Sequence, residues 1–440
     1  MSEIKEAVKR MFTEKESTAY INYFIAEFLK KKYTFKTITD AKNKYIWIYK
    51  DGIFKSIGKE VIEGECVNIF SGFYRGNYVN EILRIIADST RIDRKELGCK
   101  NKNLMCVQNG VLNIETKELS QHSPEYKFIN KIDINYVPKS KCPAFLEFLG
   151  EIVYEDDMLA IQEWFGYQLY RAHPIKKAVI FRGARHTGKT TLLKVLREFV
   201  GRDNYANKSL QKLSEGKWQI VKLYNKLANI ADELSEKAIS DVDFIKALTG
   251  DSGIDGEYKF GESFEFDSFA KNTFACNKIP KINISDNDDA YFDRWMIFDF
   301  DSQFDVTNPK RELQKHNQII EDRKEMEGVL IWALEGLERL LEQKKFTNSK
   351  TWEENRSIMK KEDTIYGFIS GCCENILGEK ISKSDLYGHY EMYCTINGKN
   401  PETMIKFGKG LKQQLDFLDE ANVEGSAYWR NIRIDPMKFD

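Results

Sequence analysis

Apolar positions along this chain follow a helical repeat in some stretches and alternate in others, and the switches between the two divide it into segments. Ala19, Ile21, Phe24, Ile25, Phe28 and Leu29 share one helical face and predict an amphipathic helix. Tyr45-Ile-Trp-Ile-Tyr49 and Ile53-Phe54, joined through Lys50-Asp51-Gly52, predict a hairpin with an Asp-Gly turn. Val79 to Ala87 is a second helical stretch, so residues 1–100 are expected to form an N-terminal mixed α/β domain. From Met105 to Tyr136 the pattern shortens to strands, with turns at Asn109-Gly110 and Thr116-Lys117. Pro143 to Tyr170 reads as helical, with Phe145, Leu146, Phe148, Leu149, Ile161, Trp164 and Phe165 on its apolar side. Residues 101–172 are thus a strand and helical collar segment ahead of the next unit.

Ala178-Val-Ile-Phe181 is a buried strand, and Leu192, Val195, Leu196, Phe199 and Val200 recur at helical spacing before Gly201. Between them lies Gly183-Ala-Arg-His-Thr-Gly188-Lys189-Thr190-Thr191, which contains the spacing G-x-x-x-x-G-K-T. Glycines let backbone N–H groups turn inward around phosphates, and the helix N-terminus adds positive potential. Lys189 reaches the terminal phosphates and Thr190 offers its hydroxyl to Mg2+. Gly183, Ala184, Arg185, His186, Thr187, Gly188, Lys189, Thr190 and Thr191 are the candidate nucleotide-binding residues.

Downstream, Lys226-Leu-Ala-Asn-Ile-Ala-Asp232-Glu233 is a short apolar strand ending in two carboxylates. This is the arrangement in which an aspartate orients Mg2+ and a glutamate positions or deprotonates the attacking water. Ile254 to Phe266 reads as a hairpin with Tyr258-Lys259-Phe260-Gly261 at its tip. Lys271 to Cys276 is a strand that delivers Asn277 to its C-terminal end, Asp286 to Asp293 reads as an acidic loop, and Arg294 opens the strand Trp295-Met-Ile-Phe298. Residues 173–305 form the expected core, and residues 306–355 a helical segment with Val329, Leu330, Trp332, Ala333, Leu337 and Leu340 inward. In residues 356–440, two helices, Asp385 to Cys394 and Met404 to Leu415, precede a β-wing at Ala427 to Ile434, as in a winged helix-turn-helix. Lys406, Lys409 and Lys412 lie on the second helix, where a groove-entering helix needs charge; a packing helix with a lysine face is the plainer alternative. Asp133 and Asn135 form D-x-N, one carboxylate short of a metal-binding D-x-D, and read better as polar positions alternating with Ile132 and Ile134 on a half-buried strand.

Composition narrows this picture. Hydrophobic residues make up 42% and aromatics 13%, and no uncharged apolar run is long enough to span a membrane. The N-terminus lacks the apolar core of a signal peptide, so a cytoplasmic protein is expected. The eight cysteines form no C-x-x-C pair and read as reduced, buried thiols. With 67 basic against 68 acidic residues, any nucleic-acid contact must be local.

Together these segments, in this order, resemble the superfamily 3 helicases of phages, plasmids, integrated islands and DNA viruses, in particular the helicase half of the phage and plasmid primase-helicases, without the primase domain. Gln108-Asn-Gly-Val-Leu-Asn-Ile114, His122-Ser-Pro-Glu-Tyr126, Glu163-Trp-Phe-Gly-Tyr167 and Trp332-Ala-Leu-Glu-Gly336 extend the likeness over roughly residues 100 to 370. The resemblance implies an α/β chain with a P-loop, AAA+-like ATPase core, an N-terminal α+β domain and a C-terminal winged-helix domain. It makes Asp232 and Glu233 the second ATPase motif, Asn277 a sensor, and Arg294 a finger acting on the neighbouring subunit's nucleotide. Lys259 and Phe260 fall on a hairpin that lines a pore and grips single-stranded DNA. The plainer alternatives are a salt bridge from Arg294 to Asp286, Asp288 or Asp289, and a solvated turn for Lys259. ATP and Mg2+, a homo-oligomeric ring of six, single-stranded and forked DNA, and a separate primase or polymerase are the implied cofactors and partners. Arg185, Thr187, Cys276 and Asp293 depart from the residues frequent in the family. The competing expectations are an origin-binding initiator that melts DNA without processive unwinding, and an ATPase acting on proteins.

Overall fold

The computed structural model describes residues 2–40, 43–232, 234, 242–250, 253–259, 261–279, 289–301, 318–360, 363–415, 417–423 and 426–435. Its first unit packs helices Ser2–Thr13, Thr18–Lys32, Gly58–Phe70 and Gly76–Ser89 with an antiparallel sheet of β1 (Phe35–Thr39), β2 (Lys44–Lys50) and β3 (Ile53–Lys55). Ile21, Ile25 and Leu29 fill its core with Ile46, Ile48, Ile62 and Ile82, which is why the apolar stripe of the second helix was legible. Asp51 and Gly52 take φ of 55° and 90°, the left-handed pair that a two-residue turn matched to strand twist requires.

An antiparallel ribbon follows: β4 (Leu104–Val107), β5 (Gly110–Asn113) and β6 (Leu119–Ser120). The stretch around Asp133 and Asn135 keeps the expected alternation, with Ile132 and Ile134 buried and Asp133 exposed, but it is not a strand. Ile132 makes a single bridge to Val107, and Asn135 instead donates to Glu327 at 3.0 Å. The helical span 143–170 also needs correcting. It is two helices, Pro143–Ile152 and Met158–Gln168, broken at Glu155–Asp157, and Leu146 faces solvent while the other six apolar residues are buried.

The centre is a five-stranded parallel sheet. Its members are β7 (Ala178–Arg182), β8 (Tyr205–Ala206), β9 (Ala228–Ala231), β12 (Lys271–Cys276) and β13 (Trp295–Asp299), in the order β13-β7-β12-β9-β8. A separate hairpin, β10 (Ile254–Glu257) with β11 (Ser263–Phe266), is inserted before β12. Parallel strands are covered on both faces, so β7, β9 and β12 read as unbroken buried runs. Helix Met158–Gln168, buried along almost its whole length, lies between this sheet and helix Arg323–Gln343. Trp164 Nε1 donates to Thr273 Oγ1 of β12 at 3.0 Å. Two glycines allow the helices to touch: a Cβ on Gly166 would sit 2.2 Å from Ala333 O, and one on Gly336 2.6 Å from Gln162 O.

Glu163 locks the same contact. Its side chain is 0% exposed and accepts from Arg339 Nε at 2.6 Å, Gln343 Nε2 at 2.9 Å, and Thr347 N and Oγ1 at 2.8 and 2.6 Å. Removing one member of a buried, multiply bonded pair strands the other charge, so Glu163→Ala is expected to lower unfolding free energy by about 3 kcal/mol in denaturant titration. An unchanged midpoint would contradict that role.

At the C-terminal side, helices Thr364–Cys372, Lys383–Ile396 and Met404–Gln414 pack on an antiparallel sheet of β14 (Cys373–Ser382), β15 (Asp419–Val423) and β16 (Ser426–Ile434), in the order β14-β16-β15. Helix Thr364–Cys372 and strand β14 have no counterpart in the expected elements. Within the expected acidic loop, Asp289–Asp293 is a short helix, and residues 286–288 lie outside the described residues. Among the described residues the cysteines are unpaired by disulfides, and no helix is long and apolar enough to cross a membrane.

Candidate functional site

The loop between β7 and helix Lys189–Val200 has the shape its spacing predicts. His186 and Gly188 take φ of 63° and 84°, and the helix opens at Gly188 without a side-chain cap, leaving first-turn amides outside the helical ladder. Gly183 passes under the end of β13 so closely that a Cβ would lie 2.2 Å from Phe300 O. Ala184, Arg185, His186 and Thr190 are exposed, whereas Thr187, Gly188 and Thr191 are buried.

Lys189 is 8% exposed and folds back over the loop. Its Nζ donates to Gly183 O at 2.8 Å, Ala184 O at 2.5 Å and Thr187 Oγ1 at 3.0 Å, and Thr187 Oγ1 donates to Ala184 O at 3.1 Å. Burial pulls the Lys189 ammonium below its ordinary pKa. The partners are neutral oxygens, so this ammonium lies beside a helix N-terminus with no carboxylate among these three bonds. That donor set suits a phosphate group, which supplies the missing negative charge.

Sheet register gathers three of the expected residues at one edge. Cys276 of β12 is level with Arg182 of β7, and Phe274 is level with Ala231 of β9. Gly183 N donates to Cys276 O at 3.2 Å and Leu234 N to Ala275 O at 2.8 Å. Gly183, Asn277 and Asp232 therefore leave the same edge from three adjacent strands, Asn277 in the middle. Two strand spacings, about 10 Å, separate the outer pair. Asp232 is ion-paired to Arg197 at 2.7 Å, from the helix that follows the loop. Glu233 lies outside the described residues. Among the described residues no group of three His, Cys, Asp or Glu could hold a metal by itself. Thr190 and Asp232 offer one hydroxyl and one carboxylate, a set that fits Mg2+ when phosphate oxygens and waters complete the shell.

Arg294 stands at the other end of the sheet. It precedes β13, Trp295 is level with Ala178, and Ala178 N donates to Arg294 O at 2.7 Å. Five strand residues, about 16 Å, separate it from its own phosphate loop. Its guanidinium is half-buried and Nη1 donates to Thr249 Oγ1 at 3.4 Å. Asp286 and Asp288 lie outside the described residues, and Asp293 pairs with Lys177 at 2.9 Å.

Lys259 is exposed at the hairpin tip, between half-buried Tyr258 and Phe260, which lies outside the described residues. Beside the hairpin, Trp218 is 60% exposed and its neighbour Lys217 bonds Asp255 of β10 at 2.9 Å. Trp218 lies on a four-residue helix, Lys217–Ile220, too short to leave a periodic signal in the sequence. On the C-terminal helix Met404–Gln414, two of the three expected lysines are already paired. Lys406 reaches Glu402 at 3.3 Å and Lys412 reaches Glu420 at 2.6 Å, while Lys409 is exposed.

Three family descriptions match parts of the chain: D5 N terminal like over residues 26–154, a family of unknown function over 181–294, and poxvirus D5 protein-like over 360–435. No curated protein matches it. Among solved structures, an A-form apo structure of the NrS-1 C-terminal region is 13% identical, with a TM-score of 0.50, covering 93% of this chain and 99% of its own. A second apo structure of that region covers 94% and 99% at TM-score 0.48. A JCV helicase bound to a small molecule covers 52% and 64% at 0.30, too low to argue from. The fold is thus that of a mixed α/β chain built on a parallel sheet and shared with the NrS-1 region. The two D5 descriptions, over residues 26–154 and 360–435, support the resemblance to the superfamily 3 primase-helicases.

Proposed function

We propose that this chain is the ATP-driven DNA helicase of a mobile genetic element, acting in DNA replication as a ring, six-membered by analogy, around one DNA strand. In this reading residues 173–305 are a P-loop, AAA+-like ATPase core, residues 1–100 and 101–172 an N-terminal domain and collar, 306–355 a helical brace, and 356–440 a winged-helix domain. The loop from Gly183 to Thr191 holds the triphosphate, and Lys189 exchanges loop carbonyls for phosphate oxygens. Thr190 and Asp232 would hold Mg2+, which would supply charge neutralisation for the phosphate oxygens, with Asp232 released from Arg197. Glu233 and Asn277 orient the attacking water. Lys259 and Phe260 grip single-stranded DNA, and a primase or polymerase is supplied by a separate chain.

The observation that carries the reading is the placing of Arg294 and the phosphate loop at opposite edges of one sheet. An arginine about 16 Å from its own loop cannot serve that nucleotide, yet two such sheets side by side in a ring bring one protomer's arginine to the next protomer's loop. An origin-binding initiator would lean on the C-terminal helix for duplex recognition. Lys406 and Lys412, already neutralised by Glu402 and Glu420, weaken that alternative, since phosphate contacts need free charge. The test is ATP hydrolysis with and without single-stranded DNA, paired with strand separation on a fork. DNA is expected to accelerate hydrolysis, and Lys259→Ala to lose unwinding far more than hydrolysis. Hydrolysis indifferent to DNA in the wild type, or full unwinding by the variant, would remove the hairpin from the mechanism.

A further inference from the structure

The hairpin that carries Lys259 is not hydrogen-bonded into the central sheet. Two four-residue strands are marginal alone, so packing must fix their position. At its base the hairpin buries Ile254 and Phe266 in the core of the central unit. Nearer the tip, the N-terminal unit adds a second hold. Arg94, on a short turn capped by Asp93, reaches across with its guanidinium carbon 4.1 Å from the ring centre of Phe264 in β11 and 5.9 Å from that of Tyr224. On its own side it lies 5.7 Å from Tyr45 of β2. Tyr45 in turn is 6.2 Å from Tyr258, the residue before Lys259, and Tyr258 is 5.7 Å from Phe264. Tyr224 completes the cluster, 5.2 Å from both Phe264 and Phe266.

Arg94 is 18% exposed and Asp40 Oδ2 is 3.8 Å away, at the outer limit of an ion pair. A weakly hydrated, planar cation is suited to this packing, because it can lie on several ring faces at once. Burial pushes the Tyr258 phenol up to about 12, so this ring stays neutral beside the cation throughout the physiological range.

We propose that Arg94 is a positioning residue: it clasps the 254–266 hairpin to the N-terminal unit and so sets where Lys259 stands when nucleic acid is gripped. The inference rests on the reading of Lys259 as a DNA contact. The hairpin and residues 1–100 then form one mechanical body, and any travel of Lys259 carries the N-terminal unit with it or breaks the clasp. The aromatic rings that Arg94 faces, Tyr45, Tyr224 and Phe264, are not ATPase motif residues.

The experiment compares the full chain with Arg94→Ala, Phe264→Leu and the double variant. Hydrogen exchange of the hairpin amides reports the clasp, and the concentration of oligothymidylate giving half-maximal stimulation of hydrolysis reports the grip. Arg94→Ala is expected to speed hairpin exchange and raise that concentration about tenfold, with the DNA-free rate unchanged. Phe264→Leu keeps the apolar bulk but removes the ring face, and should do the same, the double variant being no worse than either single one. Arg94→Lys, which keeps charge but not the planar stack, should fall between. Unchanged hairpin exchange overturns the clasp, and faster exchange with an unchanged DNA requirement overturns its positioning role. Wild-type hydrolysis that ignores DNA fails the DNA-gripping reading itself, while the exchange difference between wild type and Arg94→Ala still reports the clasp.

Discussion

Lys189→Ala is expected to abolish ATP hydrolysis and unwinding together. The side chain is 8% exposed, its ammonium sits at the mouth of a helix, and its three hydrogen-bond partners are neutral oxygens of its own loop. Burial lowers its affinity for the proton, so the protein holds a cation at some cost, bonded among the described residues to neutral oxygens. Anion binding recovers that cost. Removing one donor from a charge-stabilising cradle typically costs about 10^2 to 10^3 in rate, and here the lost donor is charged. Phosphate release at saturating nucleotide, with nucleotide binding measured separately, checks this. Both should fall, because the lysine meets the ground-state phosphates and the transferring group alike. Hydrolysis within a few-fold of wild type would sink the assignment.

Arg294→Ala should behave differently. If the arginine serves a neighbouring copy, the variant binds nucleotide as tightly as the parent but loses about 10^3 to 10^5 in hydrolysis, the range an arginine supplied from outside the site is worth in related NTPases. Its bond to Thr249 Oγ1, at 3.4 Å, is long and weak by itself. The split between binding and turnover separates this from a structural role. A variant that loses nucleotide affinity, or keeps its rate, contradicts the account.

The core was legible because phosphate chemistry demands local spacing: Gly183, Gly188, Lys189 and Thr190 lie within eight residues and carry their own structural signal. Strands β7 and β13 were legible because burial on both faces writes apolar runs, whereas β9 and β12 bury Asn229 and Lys271-Asn272-Thr273 as well. Sheet order was not. The insertion of β12 between β7 and β9, which puts Asn277 between Gly183 and Asp232, depends on pairings between strands some 40 to 90 residues apart. The same holds for Arg197 on Asp232, for Glu420 on Lys412, and for Arg94 on Phe264, where each partner comes from a distant segment. Glu402 and Lys406 are an exception, four residues apart across the start of one helix and readable as a pair. The break at Glu155–Asp157 splits an apolar span whose periodicity alone runs through it. In the sequence Glu163, Gly166 and Gly336 stand out only within the segments that carry the resemblance, and the structure supplies the reason, two helices in backbone contact with one buried carboxylate tying them.

The central claim is that each nucleotide is cleaved by two protomers, and mixing two inactive variants tests it most directly. Lys189→Ala retains Arg294, and Arg294→Ala retains an intact phosphate loop. Combined at equal concentration with single-stranded DNA, the pair is expected to regain a substantial fraction of wild-type hydrolysis, through sites formed by one chain's loop and the other's arginine. A mixture as inactive as its two components, under conditions where both assemble together, would contradict the account.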